Sequence, residues 1–131
     1  MIDKAAIKKI LITGVGGPTP RSFVRAIKYF GGAYKNSFEF VGVDSNPLAY
    51  GLYDKDLFCK TFVVPLATEN RYWDAINSII EDNAIDAAII LPETEVLEWA
   101  KNHDKLRTKI KLHLPDYKLA KELVNKYQLH P

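Results

Sequence analysis

Short, continuous apolar runs alternate along the chain with stretches whose apolar residues recur every third or fourth position. Ile10, Leu11 and Ile12 form the kind of run a parallel strand covered on both faces needs, and Phe23, Ala26, Ile27 and Phe30 follow at helical i, i+3, i+4, i+7 spacing. The pattern predicts five strands, over 8–13, 38–44, 61–64, 87–91 and 109–114. Helices are predicted over 21–29, 69–82, 94–102 and 116–127, with a short turn at 47–53. On the helix over 69–82, Tyr72, Ile76, Ile79 and Ile80 line one face; on the last, Leu119, Ala120, Leu123, Val124 and Tyr127 do. The fifth strand alternates Lys109, Lys111 and His113 with Ile110, Leu112 and Leu114, so one of its faces meets water and it belongs at a sheet edge. Strand–helix alternation with right-handed crossovers predicts an α/β fold: a three-layer, Rossmann-like, mostly parallel sheet in the order 3-2-1-4-5. Its switch point lies between strands one and four, where ligands of such sheets bind at the strands' carboxyl ends.

The turn that meets this switch point is rich in glycine. In ILITGVGGPTPR, Gly14 permits a turn too tight for a side chain, Gly16 and Gly17 let backbone approach a ligand, and a helix opens directly after them. Such a helix start attracts phosphate or carboxylate. The turn fits G-x-G-x-x-G only at Gly14 and Gly16, because Thr19 stands at the third position. It fits T-G-x-x-G-x-x-G only at Thr13, Gly14 and Gly17, because Pro20 stands at the last. A proline is comfortable in a first helical turn but removes one donor from an anion site. Arg21, at the mouth, has the fork geometry that pairs with a carboxylate or phosphate, or is simply an exposed first-turn cation. Asp44 ends the second strand, where a dinucleotide-binding domain places its ribose-binding acid, yet it comes thirty residues after Gly14; capping the turn that Asn46-Pro47 initiates is the alternative. Glu93 and Glu95 open the helix after the fourth strand, where the dipole favours acids; Glu93 is read as a cap and Glu95 as the acid facing the crevice. The candidate substrate- or anion-binding residues are thus Gly14, Gly16, Gly17, Arg21, Asp44, Asn46 and Glu95, and no catalytic residue is assigned.

Composition narrows the classes. The chain has 131 residues, 47% hydrophobic and 26% charged, enough for one domain with a real core but not two. A net charge of +2, with Lys and Arg scattered through predicted helices, does not indicate a nucleic-acid partner. No apolar stretch approaches the roughly 20 residues that span a bilayer, and the charged opening MIDKAAIKKI is no signal peptide, so a cytoplasmic location is expected and no membrane partner. The single cysteine, Cys59, is read as a small buried side chain, and Trp73 and Trp99 as packing residues. His103, His113 and His130 share no ligand-like spacing, so no metal site is expected. Tyr117 and Lys121 spell Y-x-x-x-K, but without an upstream serine the match is read as coincidence.

The ordered set ILITGVGGP, VGVDSNPLAYGLY, FVVP, AAIILPETEVLEWA and DYKLAKELVNKYQLHP resembles the N-terminal pre-ATP-grasp domain of ATP-grasp ligases of the carbamoyl-phosphate synthase large-chain type. It covers nearly the whole chain, departing from the family at Pro20 and in the acidic stretch that begins at Glu93. The resemblance implies that residues 1–115 form the pre-ATP-grasp domain and 116–131 the lead-in helix toward an ATP-grasp domain. That second domain, in cis or on a separate chain, would hold ATP and magnesium, while this one walls the site of a small carboxylate substrate, binds no cofactor alone, and is inactive in isolation. Two other readings stay open. One is an NAD(P)-binding domain of an oxidoreductase, on Gly14, Gly16 and Asp44. The other is a non-catalytic partner-binding module that docks another chain, or a second copy of itself as a homodimer, through Trp99, Tyr127 and Leu129.

Overall fold

The computed structural model of the protein describes residues 8–32 and 36–114. Five strands, β1 (Lys8–Thr13), β2 (Phe38–Asp44), β3 (Lys60–Val63), β4 (Ala87–Ile89) and β5 (Lys111–His113), form one sheet in the order β3-β2-β1-β4-β5. Every neighbouring pair is parallel, with Ile10 opposite Phe40 on one side of β1 and Ala87 on the other. The helices are α1 (Pro18–Phe30), α2 (Asn70–Asp82) and α3 (Glu93–Asn102), and a 3-10 turn spans Tyr50–Tyr53. Fold class and strand order are those expected from the sequence. The predicted helix over 116–127, with Tyr117 and Lys121, lies outside the described residues, as does His130.

The side-chain alternation of β1 divides the core. Leu11 joins Val41, Val43, Ala88 and Ile90 beneath α2 and α3, whereas Ile10 and Ile12 turn to the other face, with Phe40 and α1's Val24. Tyr72, Trp73 and Trp99 meet edge to face between α2 and α3, with ring centroids 5.0–6.3 Å apart. β1 is covered on both faces, which is why its sequence is apolar throughout its second half. At the edge, β5 keeps Lys111 and His113 exposed and turns Leu112 inward.

Four sequence expectations are corrected. Helix α1 begins at Pro18, earlier than predicted, because prolines in a first turn forfeit no intrahelical bond; it buries Pro20 and Val24, with Phe23 and Ile27 packed beside them. Ala26 faces solvent and Phe30 is 84% exposed, so the stripe is rotated from the one first read. Cys59 is exposed rather than buried, since Leu57 and Phe58 take the inward positions before β3. Trp99 is fully buried and cannot form part of a docking surface, and Tyr127 and Leu129, offered with it, lie outside the described residues.

The end of α2 is closed by a left-handed residue that is not glycine. Ala84 has φ of 52°, and the Ile85 N–H reaches back to the Ile80 carbonyl at 3.1 Å, closing a Schellman turn that buries Ile85. Farther along, Asn77 on α2 pins the segment before β5: its Nδ2 donates to the Lys105 carbonyl at 3.0 Å and its Oδ1 accepts the Arg107 N–H at 2.8 Å.

Candidate functional site

The carboxyl ends of β1, β2 and β4 bring the glycine turn, Asp44 and the start of α3 to one end of the sheet, at the switch point. Gly14 leaves β1 in the left-handed region, φ 64°, which a glycine enters without strain. Space also demands glycine there: a Cβ would stand 2.5 Å from Pro92 Cγ and 2.8 Å from Glu95 Oε2. The turn is thereby pressed against the start of α3. Between them opens a cleft of about 310 Å³, lined by Gly14, Gly17, Pro18, Thr19, Pro20, Leu91, Pro92, Glu93 and Glu95. A second hollow of about 410 Å³, between Leu52, Asp54, Lys55, Phe58, Cys59, Lys60 and Thr61, lies apart from it and shares none of these residues.

The turn's own donors are largely taken. The Val15 N–H donates to the Val43 carbonyl (3.2 Å), the Gly16 N–H to Asp44 Oδ2 (2.8 Å) and the Gly17 N–H to the Gly14 carbonyl (3.0 Å). Pro18 and Pro20, within the first turn of α1, have no N–H to offer. Of residues 15–20, Thr19 alone keeps a backbone N–H without such a partner. A helix start ordinarily presents several unsatisfied donors to an anion; this one presents a dipole and a single N–H.

Asp44 is committed as well. Its second oxygen accepts the Asn46 N–H at 2.8 Å, and Asn46 Oδ1 in turn accepts the Leu48 N–H at 3.0 Å, so Asp44 and Asn46 together build the turn after β2. Arg21 bends back rather than reaching out: its Nε donates to the Gly17 carbonyl at 3.3 Å, and its guanidinium lies 5.0 Å from the centroid of the exposed Tyr50 ring.

Glu95 is the acid most altered by its surroundings. Burial, then the nearby Asp44 carboxylate, push its carboxyl up to about 7, and the Thr13 hydroxyl works in the opposite direction. Thr13 is 0% exposed, and its Oγ1 makes no hydrogen bond of full geometry. On the core side, Tyr72 accepts the Trp99 Nε1–H at 2.8 Å, and its phenol is held above its ordinary range by burial and, secondarily, by Glu95. Glu93 lines the same cleft from an exposed position.

The structure thus brings Gly14, Gly17 and Glu95 to one cleft and sets Gly16, Asp44 and Asn46 behind it as its frame, with Arg21 at the rim. Sequence reasoning missed Thr13 as a site residue, although it stands in the motif next to Gly14, and missed the Pro92 ring, whose close approach only tertiary packing shows. Among the described residues no cluster of three or more His, Cys, Asp or Glu is arranged to hold a metal ion, and no helix is long and apolar enough to cross a membrane.

A search of curated proteins finds no match. The family of PylC-like N-terminal domains, in contrast, matches residues 10–112, from within β1 to within β5, and so spans the glycine turn, Asp44 and Glu95. The chain belongs to this family, a pre-ATP-grasp N-terminal domain of ATP-grasp ligases.

Proposed function

We propose that the chain is the substrate-side domain of an ATP-dependent carboxylate ligase of carbamoyl-phosphate synthase type, and that it is not a complete catalyst alone. The observation that carries this reading is the cleft between the glycine turn and α3: it can wall a small ligand, but among the described residues it sets no nucleophile beside a base. Glu95, the Thr19 N–H and the rim cation Arg21 are its polar equipment. ATP and magnesium fall to an ATP-grasp domain, in cis or on a second chain, which makes the acyl-phosphate in the cytoplasm. Leu48, Tyr50, Tyr53 and Val63 lie exposed after β2 and at the end of β3, and supply apolar surface for that neighbour.

A dinucleotide is disfavoured by the same geometry. Both Asp44 oxygens already accept backbone N–H groups, and two prolines thin the donors on which a pyrophosphate would rest. The chain alone, given magnesium, ATP and a panel of small carboxylates, is expected to release no phosphate and, titrated with NADH, to show no saturable energy transfer from Trp73 or Trp99. Phosphate release by the isolated chain would overturn the proposal.

A further inference from the structure

A ligand entering the cleft meets few backbone donors. The N–H groups of Val15, Gly16 and Gly17 are taken within the protein, and Pro18 and Pro20 have none. What faces the cleft instead is the Glu95 carboxyl, whose Oε2 lies 2.8 Å from the place a Cβ on Gly14 would occupy. Behind it Thr13 Oγ1, fully buried and making no hydrogen bond of full geometry, is directed to that carboxyl and favours its ionised form. A buried hydroxyl left unpaired costs stability unless something else in the site completes it.

We propose that Glu95 meets the ligand as an uncharged carboxylic acid that donates its O–H to an anionic oxygen of a small carboxylate. This rests on the carboxylate-binding reading above and goes beyond it by naming the donor and its protonation state. Two carboxylates that meet at hydrogen-bond distance hold a proton between them, because each charge raises the other's affinity for it. At a pH where free Glu95 is ionised, complex formation therefore takes one proton from solvent onto Glu95, and the ligand stays an anion.

The groups facing Glu95 favour that form. Asp44, from the end of β2, adds negative charge, and Tyr72, from α2, is a neutral phenol. Glu93, two residues earlier on α3, lines the same cleft. Arg21, from α1, is turned to the Gly17 carbonyl and Tyr50. The dipole of α3 and the Thr13 hydroxyl act the other way, and burial with Asp44 outweighs them.

The test is a titration of the chain with sodium acetate, and separately with sulfate, followed by proton–nitrogen NMR at fixed ionic strength. With Glu95 titrating at about 7, the protonated fraction falls from about 0.9 near pH 6 to about 0.03 near pH 8.5, so the apparent Kd for acetate should rise about thirtyfold. Glu95→Gln, whose amide donates without titrating, should bind acetate equally at both pH values. In the native chain, carbon-13 shifts of the Glu95 carboxyl should show its midpoint moving upward on adding acetate, a readout that needs no variant. Acetate binding that ignores pH, or that strengthens at the higher pH, would overturn the proposal. Either result leaves the carboxylate reading standing; if neither acetate nor sulfate shifts any amide at either pH, the carboxylate reading fails and takes the protonated acid with it.

Discussion

Replacing Gly14 by Ala tests the contact on which the cleft is built. Two costs add there. A left-handed Ala is strained by about 1–2 kcal/mol, and its Cβ would meet Pro92 Cγ at 2.5 Å, a rigid ring atom rather than the end of a flexible side chain. Pro92 cannot yield freely, because its carbonyl accepts the Val96 N–H at 2.9 Å and so anchors the first turn of α3. Forcing such a packed contact costs about 1–3 kcal/mol more. Against both stands the gain of about 0.4–1 kcal/mol from restricting the unfolded chain. The sum is a loss of about 1–4.5 kcal/mol, centred on about 3.

Gly32 supplies the control. It shares the left-handed conformation, φ 58°, but an added Cβ there meets nothing within 4 Å. Gly32→Ala therefore carries the strain and the unfolded-state gain without the clash, a net loss of about 0–1.5 kcal/mol. Urea unfolding followed by tryptophan fluorescence, with unchanged slope, should separate the two variants by about 1–3 kcal/mol. If Gly14→Ala falls within about 0.5 kcal/mol of Gly32→Ala, the packing of the turn against α3 is not as described and the cleft's geometry falls with it.

Other perturbations report on the frame around the cleft. Ala84→Gly relieves the left-handed residue after α2 and should stabilise the protein by a few tenths to about 1 kcal/mol in the same urea assay. Asn77→Ala strands the Lys105 carbonyl and the Arg107 N–H and should cost about 2 kcal/mol, with faster amide exchange at Arg107. Tyr72→Phe leaves the buried Trp99 indole N–H without its acceptor and should cost about 1–3 kcal/mol, with altered tryptophan emission. Glu95 titrates at about 7 in the fold against an ordinary 4.5, so its protonated form contributes stability in full below about pH 4.5 and loses it as pH rises through 7; Glu95→Gln should remove about 3 kcal/mol of that pH dependence from unfolding curves.

The architecture was legible because its signals are local and repeated. Continuous apolar runs such as Ile10 to Ile12 imply burial on both faces, and handedness then leaves few strand orders. Where two periodic stripes overlap, periodicity does not choose: Phe23, Ala26, Ile27 and Phe30 satisfy the helical template, but Pro20 and Val24, one turn apart, are the residues α1 buries. Beginning the helix at Arg21 left Pro20 outside that face, although a first turn tolerates proline. Cys59 was misjudged from its residue type, whereas its exposure follows from its place beside the inward-turned Phe58. In the site, Asp44, Asn46 and Glu95 stood out by position, but what they bond to did not. The partners of Asp44 include a residue 28 positions away, and Glu95 is tuned by Thr13 and Asp44, far off in sequence. Such long-range electrostatics leave no periodic trace.

One missing methyl group links the fold to the chemistry of the cleft. With no Cβ at Gly14, the Pro92 ring and the Glu95 carboxyl can lie where that atom would be. Their approach seats the start of α3 against the glycine turn and keeps water from much of the Glu95 carboxyl, and burial is the largest influence on its titration. The same turn hands the Gly16 N–H to Asp44, which fixes a carboxylate nearby and raises Glu95 further. A donor at the helix start is thus used to place a charge, and that charge adds to burial in favouring the protonated form of the acid that lines the cleft. Widening the turn, as a side chain at Gly14 must, should therefore both destabilise the domain and let Glu95 titrate nearer its ordinary value. Measured on one variant, a loss of stability with Glu95 still titrating at about 7 would break that link and assign its titration to burial that does not depend on the glycine turn.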